Sequence, residues 1–288
     1  MKKSTGKKIF DVCNYTFLAL CIFTTLYPFL NQIALSFTST KALLRYDITI
    51  FPIDPTLKTY EELMSDIVFW NNYGNTLIIT FFGTLFGLTF TTMTAYALSK
   101  RDLYGKNVIM KLIVFTMFFA GGMIPNFLIM RNLHLLNTLA AVIIPNLIIP
   151  YHILIMRTYF MGLPIELEEA AKMDGMGQFG YFIKMALPLS KPIMATMLLF
   201  IAVVYWNDWF AAMLYLPKGE GRPVTLYLRN VLNGAVAPPK PGENMSDRTV
   251  STSIQAASML VVITPVMCIY PFVQKHFVTG VMIGAVKG

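Results

Sequence analysis

Six apolar runs follow one another along the chain, each long enough to cross a lipid bilayer. A transmembrane helix needs about 20 mainly apolar residues. The runs lie at about 12–35, 73–98, 108–130, 139–160, 192–215 and 254–274. The pattern predicts an all-α polytopic membrane protein with six transmembrane helices.

Composition agrees with this pattern. Apolar residues make up 56% of the 288 residues and charged residues 13%, whereas about 25% of a soluble domain is charged. No tandem repeat divides the chain, so we predict a single membrane domain over 1–288.

Lysine and arginine concentrate in segments that lie on one side of the membrane if the six spans alternate. These segments are residues 1–8, 100–106 and 157–191. Short cytoplasmic loops carry such an excess, so we expect both termini to be cytoplasmic and the chain to be in a bacterial cytoplasmic membrane. The net charge of +8 then reflects topology and anionic lipid, and a nucleic-acid partner is not expected.

Proline residues interrupt several of the predicted spans. A proline inside a helix removes a backbone hydrogen bond and kinks or breaks it, and broken helices in a membrane need protein or a water-filled cavity around them. This favours a transporter component over a simple anchor. The prolines are Pro28, Pro125, Pro145, Pro150, Pro265 and Pro271.

Glycine pairs occur within two spans, Gly83 with Gly87 and Gly121 with Gly122. Small residues allow helix backbones to approach closely in lipid. We therefore expect both pairs to pack against neighbouring helices of the same chain.

Enzyme signatures are missing from the sequence. No GxxxxGK[ST] phosphate loop, HExxH motif or GxSxG elbow is present. The three cysteines lack CxxC spacing. We expect no catalytic residue, no metal site and no cofactor bound by this chain.

Two polar loops separate the spans on the side opposite the cationic segments. Residues 38–72 include an amphipathic stretch at about Leu57–Asp66, and residues 216–253 include another at 224–233. The first loop is a partner surface, a lid or a plain connector. The stretch 235–250 is rich in Pro, Gly and Ser and is predicted to be a flexible loop.

Residues 164–177, PIELEEAAKMDGMG, place three glutamates and an aspartate in an apolar chain. Pro164 suits the first turn of a helix, and acids there face the positive end of the helix dipole. Glu168 and Lys172 form a favourable i,i+4 pair, and Gly175 suits a helix end. We predict a helix of about ten residues. Its faces are Leu163, Leu167, Ala170 and Ala171 on one side and Ile165, Glu169, Met173 and Met176 on the other.

This segment resembles the EAA loop of binding-protein-dependent ABC importer permeases. The similarity extends to Asn75-Thr76, residues 95–100, residues 121–139, residues 206–210 and the tail 277–288. These are similar to maltose-permease-like carbohydrate importers, and the tail to the oligosaccharide-linked LplC/YtcP-type branch. The EAA pattern is carried by Glu169-Ala170-Ala171, Asp174-Gly175 and Leu187-Pro188.

The resemblance implies a type I ABC importer transmembrane domain with a core over 70–274 and an EAA loop over 161–192. Two such six-helix permeases, usually a heterodimer, form the path. Two cytoplasmic ABC ATPase subunits bind ATP and Mg and drive it, and an external solute-binding protein delivers the sugar. Glu169 would pair with the ATPase, Ala170 and Ala171 would allow close seating, and Gly175 would turn the chain. The tail 280–288 is a further candidate contact with the ATPases.

A second group of candidates concerns the substrate path or gate. Asp208 is the one acid within an apolar span, and such acids indicate function because they are costly to bury. The alternative is an interfacial aromatic belt with a hydrated Asp208. The group comprises Trp206, Asn207, Asp208, Trp209 and Asn126, with Asn146 and Tyr151 as weaker members.

Two other functions remain open from the sequence. An ion-coupled secondary transporter would use Asp208 but would not need an EAA segment. A structural scaffold would bind a partner through that segment without affecting transport.

Overall fold

The computed structural model describes residues 5–43, 45–233 and 250–285, with the backbone alone for 5, 40, 250–251 and 272–285. Within these residues the chain is helical and contains no strand. Residues 235–249 of the predicted flexible loop 235–250 and the last residues of the tail, 286–288, lie outside the described part. The helices are α1 Thr5–Phe37, α2 Thr40–Leu43, α3 Lys58–Ser65, α4 Ile67–Ser99, α5 Lys106–Phe118, α6 Met123–Asn132, α7 Leu139–Ile143, α8 Pro150–Met161, α9 Ile165–Met173, α10 Gln178–Tyr181, α11 Leu187–Leu189, α12 Lys191–Asn207, α13 Phe210–Tyr215, α14 Val224–Leu232 and α15 Val250–Ala285.

In the described part of the chain, three helices are long and apolar enough to span a membrane by themselves, and they lie in α1, α4 and α15. Three bent pairs complete the set. The helices of these pairs meet at 116° (α5 and α6), at 48° (Leu139–Asn146 and α8) and at 81° (Gln178–Leu189 and α12). The all-α prediction is confirmed for the described residues, and their count of spans agrees with the predicted six if each bent pair is one span.

The chain forms two compact units. One comprises Met1–Trp70 and Leu228–Thr264, and the other comprises Asn71–Tyr227 and Pro265–Gly288. No observation tests the prediction of a single membrane domain.

In the first unit, α3 packs against the end of α1. The Tyr60 hydroxyl donates to Ser36 Oγ at 2.9 Å, and the Tyr60 and Phe37 rings lie 5.1 Å apart. Leu63 is buried on the same side of α3. The amphipathic helix predicted near 57–66 is therefore present. The second amphipathic stretch, predicted at 224–233, forms α14.

The prolines divide into those at helix starts or breaks and those inside continuous helices. Pro125 belongs to the first group, since it lies in the first turn of α6 after the break that follows α5. Pro145 and Pro150 lie at the break between α7 and α8, in a 3₁₀ turn at Ile144–Asn146 and at the first residue of α8. In contrast, α1 continues through its proline, and α15 continues through both of its prolines. A proline removes one hydrogen bond, which an otherwise apolar helix in lipid tolerates.

The two glycine pairs also differ. Gly83 and Gly87 pack against α12, where a Cβ on Gly83 would lie 2.6 Å from the Tyr205 ring, so the packing prediction is confirmed. Gly122 instead has φ +88° at the break before α6, with no atom near the position of a Cβ. The packing prediction is wrong for Gly122, whose role is to allow a backbone conformation that other residues avoid.

Candidate functional site

The predicted EAA helix is α9, which we call the coupling helix. It begins after Pro164, carries Glu166 and Glu168 in its first turn, and ends at Met173. Gly175 follows with φ +75°. Its N–H donates to the Lys172 carbonyl, and the Met176 N–H donates to the Ala171 carbonyl at 2.9 Å. These two bonds form a Schellman cap, so the end of the helix is fixed by the backbone.

One face of the coupling helix packs on its own chain. Ala171 is 3% exposed and lies in a core cluster with residues of α4 and α8. Leu163, Leu167 and Met176 pack against this cluster. The predicted faces were wrong for two positions, since Met176 lies inside and Ala170 lies outside. Met176 follows the left-handed turn at Gly175, so helical spacing no longer applies to it.

The outer face of the coupling helix is exposed and partly apolar. Met173 is 88% exposed and Ile165 is 47% exposed. Glu169 and Ala170 are exposed as well. Among the described residues, no side chain forms a hydrogen bond or ion pair with Glu169. Of the two alanines of the motif, only Ala170 is available to a partner, because Ala171 is enclosed by its own chain.

Glu168 faces inward and binds three side chains. Lys100 Nζ lies 2.7 Å from Oε2, and Lys172 Nζ lies 3.2 Å from Oε1. The Gln178 amide donates to Oε1 at 3.1 Å. The Glu168–Lys172 pair was predicted from helical spacing. Lys100 and Gln178 were missed because they lie elsewhere in the sequence, although the segment ending in Lys100 had been noted as part of the family resemblance.

The protonation of Glu168 and Lys100 follows from this geometry. Partial burial alone raises the pKa of the Glu168 carboxyl, but the hydrogen bonds from Lys100, Gln178 and Lys172 outweigh it and lower the pKa to about 2. For Lys100, burial lowers the pKa, and the contacts with Glu168 and Tyr96 raise it above its usual value. Both groups are therefore charged at neutral pH.

The remaining EAA residues lie at the ends of short helices. Asp174 caps the coupling helix and is exposed. Leu187 packs on the core cluster, and Pro188 is exposed beside it. A π-helical turn at Phe182–Ala186 precedes this pair. The motif residues therefore lie along one continuous segment that returns the chain from the coupling helix to α12.

A cleft of about 710 Å³ lies between the first turn of the coupling helix and the end of α4. Lys100 and Glu168 line it, together with the exposed ring of Phe179. Packing is therefore incomplete on this side of the helix.

The second predicted group lies where α12 ends. Asp208 Oδ2 accepts a hydrogen bond from the Asn146 amide at 3.1 Å, and Oδ1 accepts one from the Ala211 N–H at 2.9 Å. The carboxylate thus caps the first turn of α13 and reaches the break between α7 and α8. Its partners in the structure are neutral donors.

The aromatic neighbours of Asp208 are less accessible than the sequence suggested. Trp206 is 6% exposed and packs edge-on against Tyr73 at 5.9 Å, so its ring faces are not open for a sugar. Trp209 is partly buried and packs against Phe210. Asn207 is exposed but donates to the Val203 carbonyl within its own helix.

Asn126 lies in the first turn of α6, where it is exposed, and it is not among the partners of Asp208. Tyr151 is also exposed, near the start of α8. Of the weaker candidates, the structure brings only Asn146 to Asp208.

Tyr205 is a residue of this region that sequence reasoning missed. Its hydroxyl donates to the Ile143 carbonyl at 2.9 Å. In a continuous α-helix this carbonyl would accept from Leu147, but the Leu147 N–H binds the Ile144 carbonyl in the 3₁₀ turn. Tyr205 therefore ties α12 to the backbone at the break between α7 and α8, where polar groups in a membrane need partners from the protein.

Comparison with known proteins agrees with this fold and motif. Residues 103–280 match the family described as binding-protein-dependent transport system inner membrane component. The chain is 40% identical to Protein LplC of Bacillus subtilis, covering 100% of this chain and 98% of LplC. It is 34% identical to the polygalacturonan/rhamnogalacturonan transport system permease protein YtcP of the same species, covering 98% and 99%.

A solved structure gives the same result. The chain aligns with one from the crystal structure of a bacterial ABC transporter involved in the import of the acidic polysaccharide alginate, with a TM-score of 0.89, 32% identity and coverage of 96% and 99%. The family match spans both candidate regions, and relatives named as permeases support a membrane component over an enzyme. The chain belongs to the family of binding-protein-dependent transport system inner membrane components.

Proposed function

We propose that the chain is one half of the translocation path of an ABC importer for a sugar or oligosaccharide. A second six-helix permease forms the other half. Two cytoplasmic ATPase subunits, which bind ATP and Mg, drive transport, and an external binding protein delivers the substrate. Both termini and the coupling helix face the cytoplasm. Relatives named for polygalacturonan, for arabinooligosaccharides and for alginate support a carbohydrate substrate.

The outer face of the coupling helix is the observation that carries this proposal. It presents an exposed methionine, an unpaired carboxylate and a small residue on a helix whose end is capped and whose inner face is packed. Flexible thioethers adapt to apolar partner surfaces, and a carboxylate supplies a specific charge contact. A rigid element with these properties suits docking into a groove of the ATPase.

Transport follows an alternating-access mechanism in this proposal. ATP binding closes the ATPase pair, the coupling helices move with it, and the cavity between the permeases turns toward the binding protein. Hydrolysis reverses the change. A partner shifts such an equilibrium only through its different affinity for the two states, so the coupling helix must move as a rigid body.

Retention of the ATPase during purification of the complete importer tests the docking surface. Glu169→Lys reverses the exposed charge and is expected to reduce retention at least about tenfold, because a like charge at an interface is strongly unfavourable. Gly175→Val places a β-branched residue at φ +75°, which costs about 1–2 kcal/mol or more, and should also reduce retention.

Gly177→Val is the matched control, because this glycine has φ −71° and free space at the position of a Cβ. It is expected to retain the ATPase as the native chain does. Full retention by both Glu169→Lys and Gly175→Val would contradict the docking proposal. ATP hydrolysis by the chain purified alone would contradict the assignment of ATP to separate subunits.

A further inference from the structure

Glu168 and Glu169 are neighbours on the coupling helix and differ in exposure and in their partners. Glu169 is exposed on the outer face, whereas the side chain of Glu168 is 20% exposed and hydrogen-bonded to three groups. The coupling motif thus contains two acids in different situations. One is available to a partner, and the other is occupied within the chain.

The Lys100–Glu168 pair joins two helix ends of opposite polarity. Lys100 directly follows α4, where the negative end of the helix dipole favours a cation. Glu168 lies in the first turn of the coupling helix, where the positive end favours an anion. Their 2.7 Å separation is that of a strong charge-assisted hydrogen bond. The contact therefore has a fixed direction and length.

Aromatic rings hold Lys100 in this position. Its ammonium lies 4.3 Å from the centre of the Tyr96 ring and 4.9 Å from that of Tyr181, within the range of a cation–π interaction. The centre of the Tyr96 ring in turn lies 4.6 Å from the centre of the Phe182 ring. Lys100 is thus enclosed by residues of α4 on one side and of the segment after the coupling helix on the other.

Packing alone leaves one side of the coupling helix unsupported. The core cluster around Ala171 holds the inner face, but the cleft of about 710 Å³ separates the first helical turn from the end of α4. Apolar contacts are non-directional and permit a helix to slide or rotate. The Lys100–Glu168 pair, in the wall of this cleft, supplies the directional link there.

We propose that Glu168 is a positioning residue, which acts through Lys100 to fix the coupling helix to α4, so that displacement of the coupling helix moves α4. The inference rests on the proposed function and assigns a role to an acid that does not touch the ATPase. Gln178 and Lys172 keep the Glu168 carboxylate oriented toward Lys100.

The test compares transport with ATP hydrolysis in the complete importer reconstituted in proteoliposomes. Glu168→Gln and Lys100→Met remove the charge pair and nearly preserve side-chain size. We expect ATPase retention within about twofold of the native complex, while substrate transported per ATP falls about tenfold, the effect of one charge-assisted hydrogen bond on an equilibrium.

Two controls match these variants. Lys100→Arg keeps the cation and should restore transport per ATP to near the native value. Glu166→Gln removes an exposed acid from the same helical turn and should leave the ratio unchanged. A role in stability alone would not separate transport from hydrolysis.

Native transport per ATP in both Glu168→Gln and Lys100→Met would overturn the inference and leave the proposed function intact. Loss of ATPase retention in Glu168→Gln, to the extent seen with Glu169→Lys, would also overturn it, since Glu168 would then belong to the docking surface. If neither variant yields a monodisperse complex, the Lys100–Glu168 pair contributes to stability alone, and the inference is overturned as well. Failure of the proposed function would give a different result from failure of this inference, because the native chain itself would then retain no ATPase.

Discussion

Two partly buried carboxylates, Glu168 and Asp208, are stabilised in different ways. Glu168 lies outside the membrane spans and binds two ammonium groups and an amide. Asp208 lies at the end of α12 and binds an amide and a backbone N–H. The first arrangement depends on opposite charge, and the second depends on hydrogen-bond geometry.

The difference indicates two kinds of mechanical link. An ion pair between two helix ends holds them together without a continuous packed surface and is weakened by salt, which suits an element that moves with a partner. Hydrogen bonds from fixed neutral donors to a helix break lock the backbone around it, because unsatisfied groups within a membrane are costly. We interpret the Glu168 region as a charged connection that transmits movement between the coupling helix and α4, and the Asp208 region as a rigid joint.

The largest expected effect concerns the packing behind the rigid joint. Gly83→Ala would place a methyl group 2.6 Å from the ring of Tyr205, which is 1% exposed and cannot move aside. Overpacking of this kind typically costs about 1–3 kcal/mol. We expect a clearly lower thermal unfolding midpoint in detergent.

Gly74→Ala provides the control within the same helix, because nothing lies within 4 Å of its Cβ position. Alanine is favoured over glycine in a helix by about 0.5–1 kcal/mol, so the midpoint should stay the same or rise slightly. Equal destabilisation by the two substitutions would show that close packing at Tyr205 is not what holds the joint.

An intermediate effect is expected at Asp208 itself. Asp208→Ala removes the cap of α13 and leaves the Asn146 amide without its partner. Loss of a cap costs about 0.5–2 kcal/mol, and the lost bond to the part-buried Asn146 amide adds less than a fully buried donor would. The unfolding midpoint should fall, and uptake should fall with it, while the complex with the ATPase still assembles.

Asp208→Asn separates geometry from charge. Its side-chain oxygen can accept from the Ala211 N–H, and the Asn146 amide can rotate to present its own oxygen. We expect uptake and stability close to native. Strong loss of uptake in Asp208→Asn with native stability would instead indicate a substrate or ion contact that requires the negative charge.

The sequence predicted the local features of the coupling helix because they depend on neighbouring residues. The helix after Pro164, its end at Gly175 and the Glu168–Lys172 pair follow from spacing within one turn or cap. Lys100 is 68 positions away from Glu168, so no local pattern could indicate their contact. Ala170 is exposed although it was predicted on the same face as Leu163 and Leu167. The reason is related, since the packing of distant elements decides which side of a helix is buried.

The Asp208 region depends even more on contacts between residues that are distant in the sequence. A single acid in an apolar span predicted a functional site, but its assignment as a cap depends on the breaks at Asn146 and Asn207, which are brought together by the fold. Trp206 was predicted to be open to substrate because the sequence does not reveal Tyr73 beside it. The prolines indicated that some helices break, and at the break between α5 and α6 Gly122 precedes Pro125, which lies in the first turn of α6.

The smallest expected effect is the pH dependence of the Glu168 link. The pKa of Glu168 in the folded chain, about 2, lies below its usual value of 4.5, so its stabilisation is complete above about pH 4.5 and is lost as the pH falls toward 2. Because solvent still reaches the pair, we expect it to contribute about 1 kcal/mol or less to the free energy of unfolding. The midpoint difference between the native chain and Glu168→Gln should be constant from pH 5 to 8 and shrink below about pH 4.5.

The exposed pair Lys58–Glu62, at 3.7 Å with side chains 78% and 41% exposed, is the control, and Glu62→Gln should shift the midpoint little at any pH. Asp208→Ala should show no comparable sensitivity to added salt, because the partners of Asp208 are neutral, whereas salt should reduce the effect of Glu168→Gln by screening. An equal salt response at both sites would remove the distinction between a charged connection and a neutral joint.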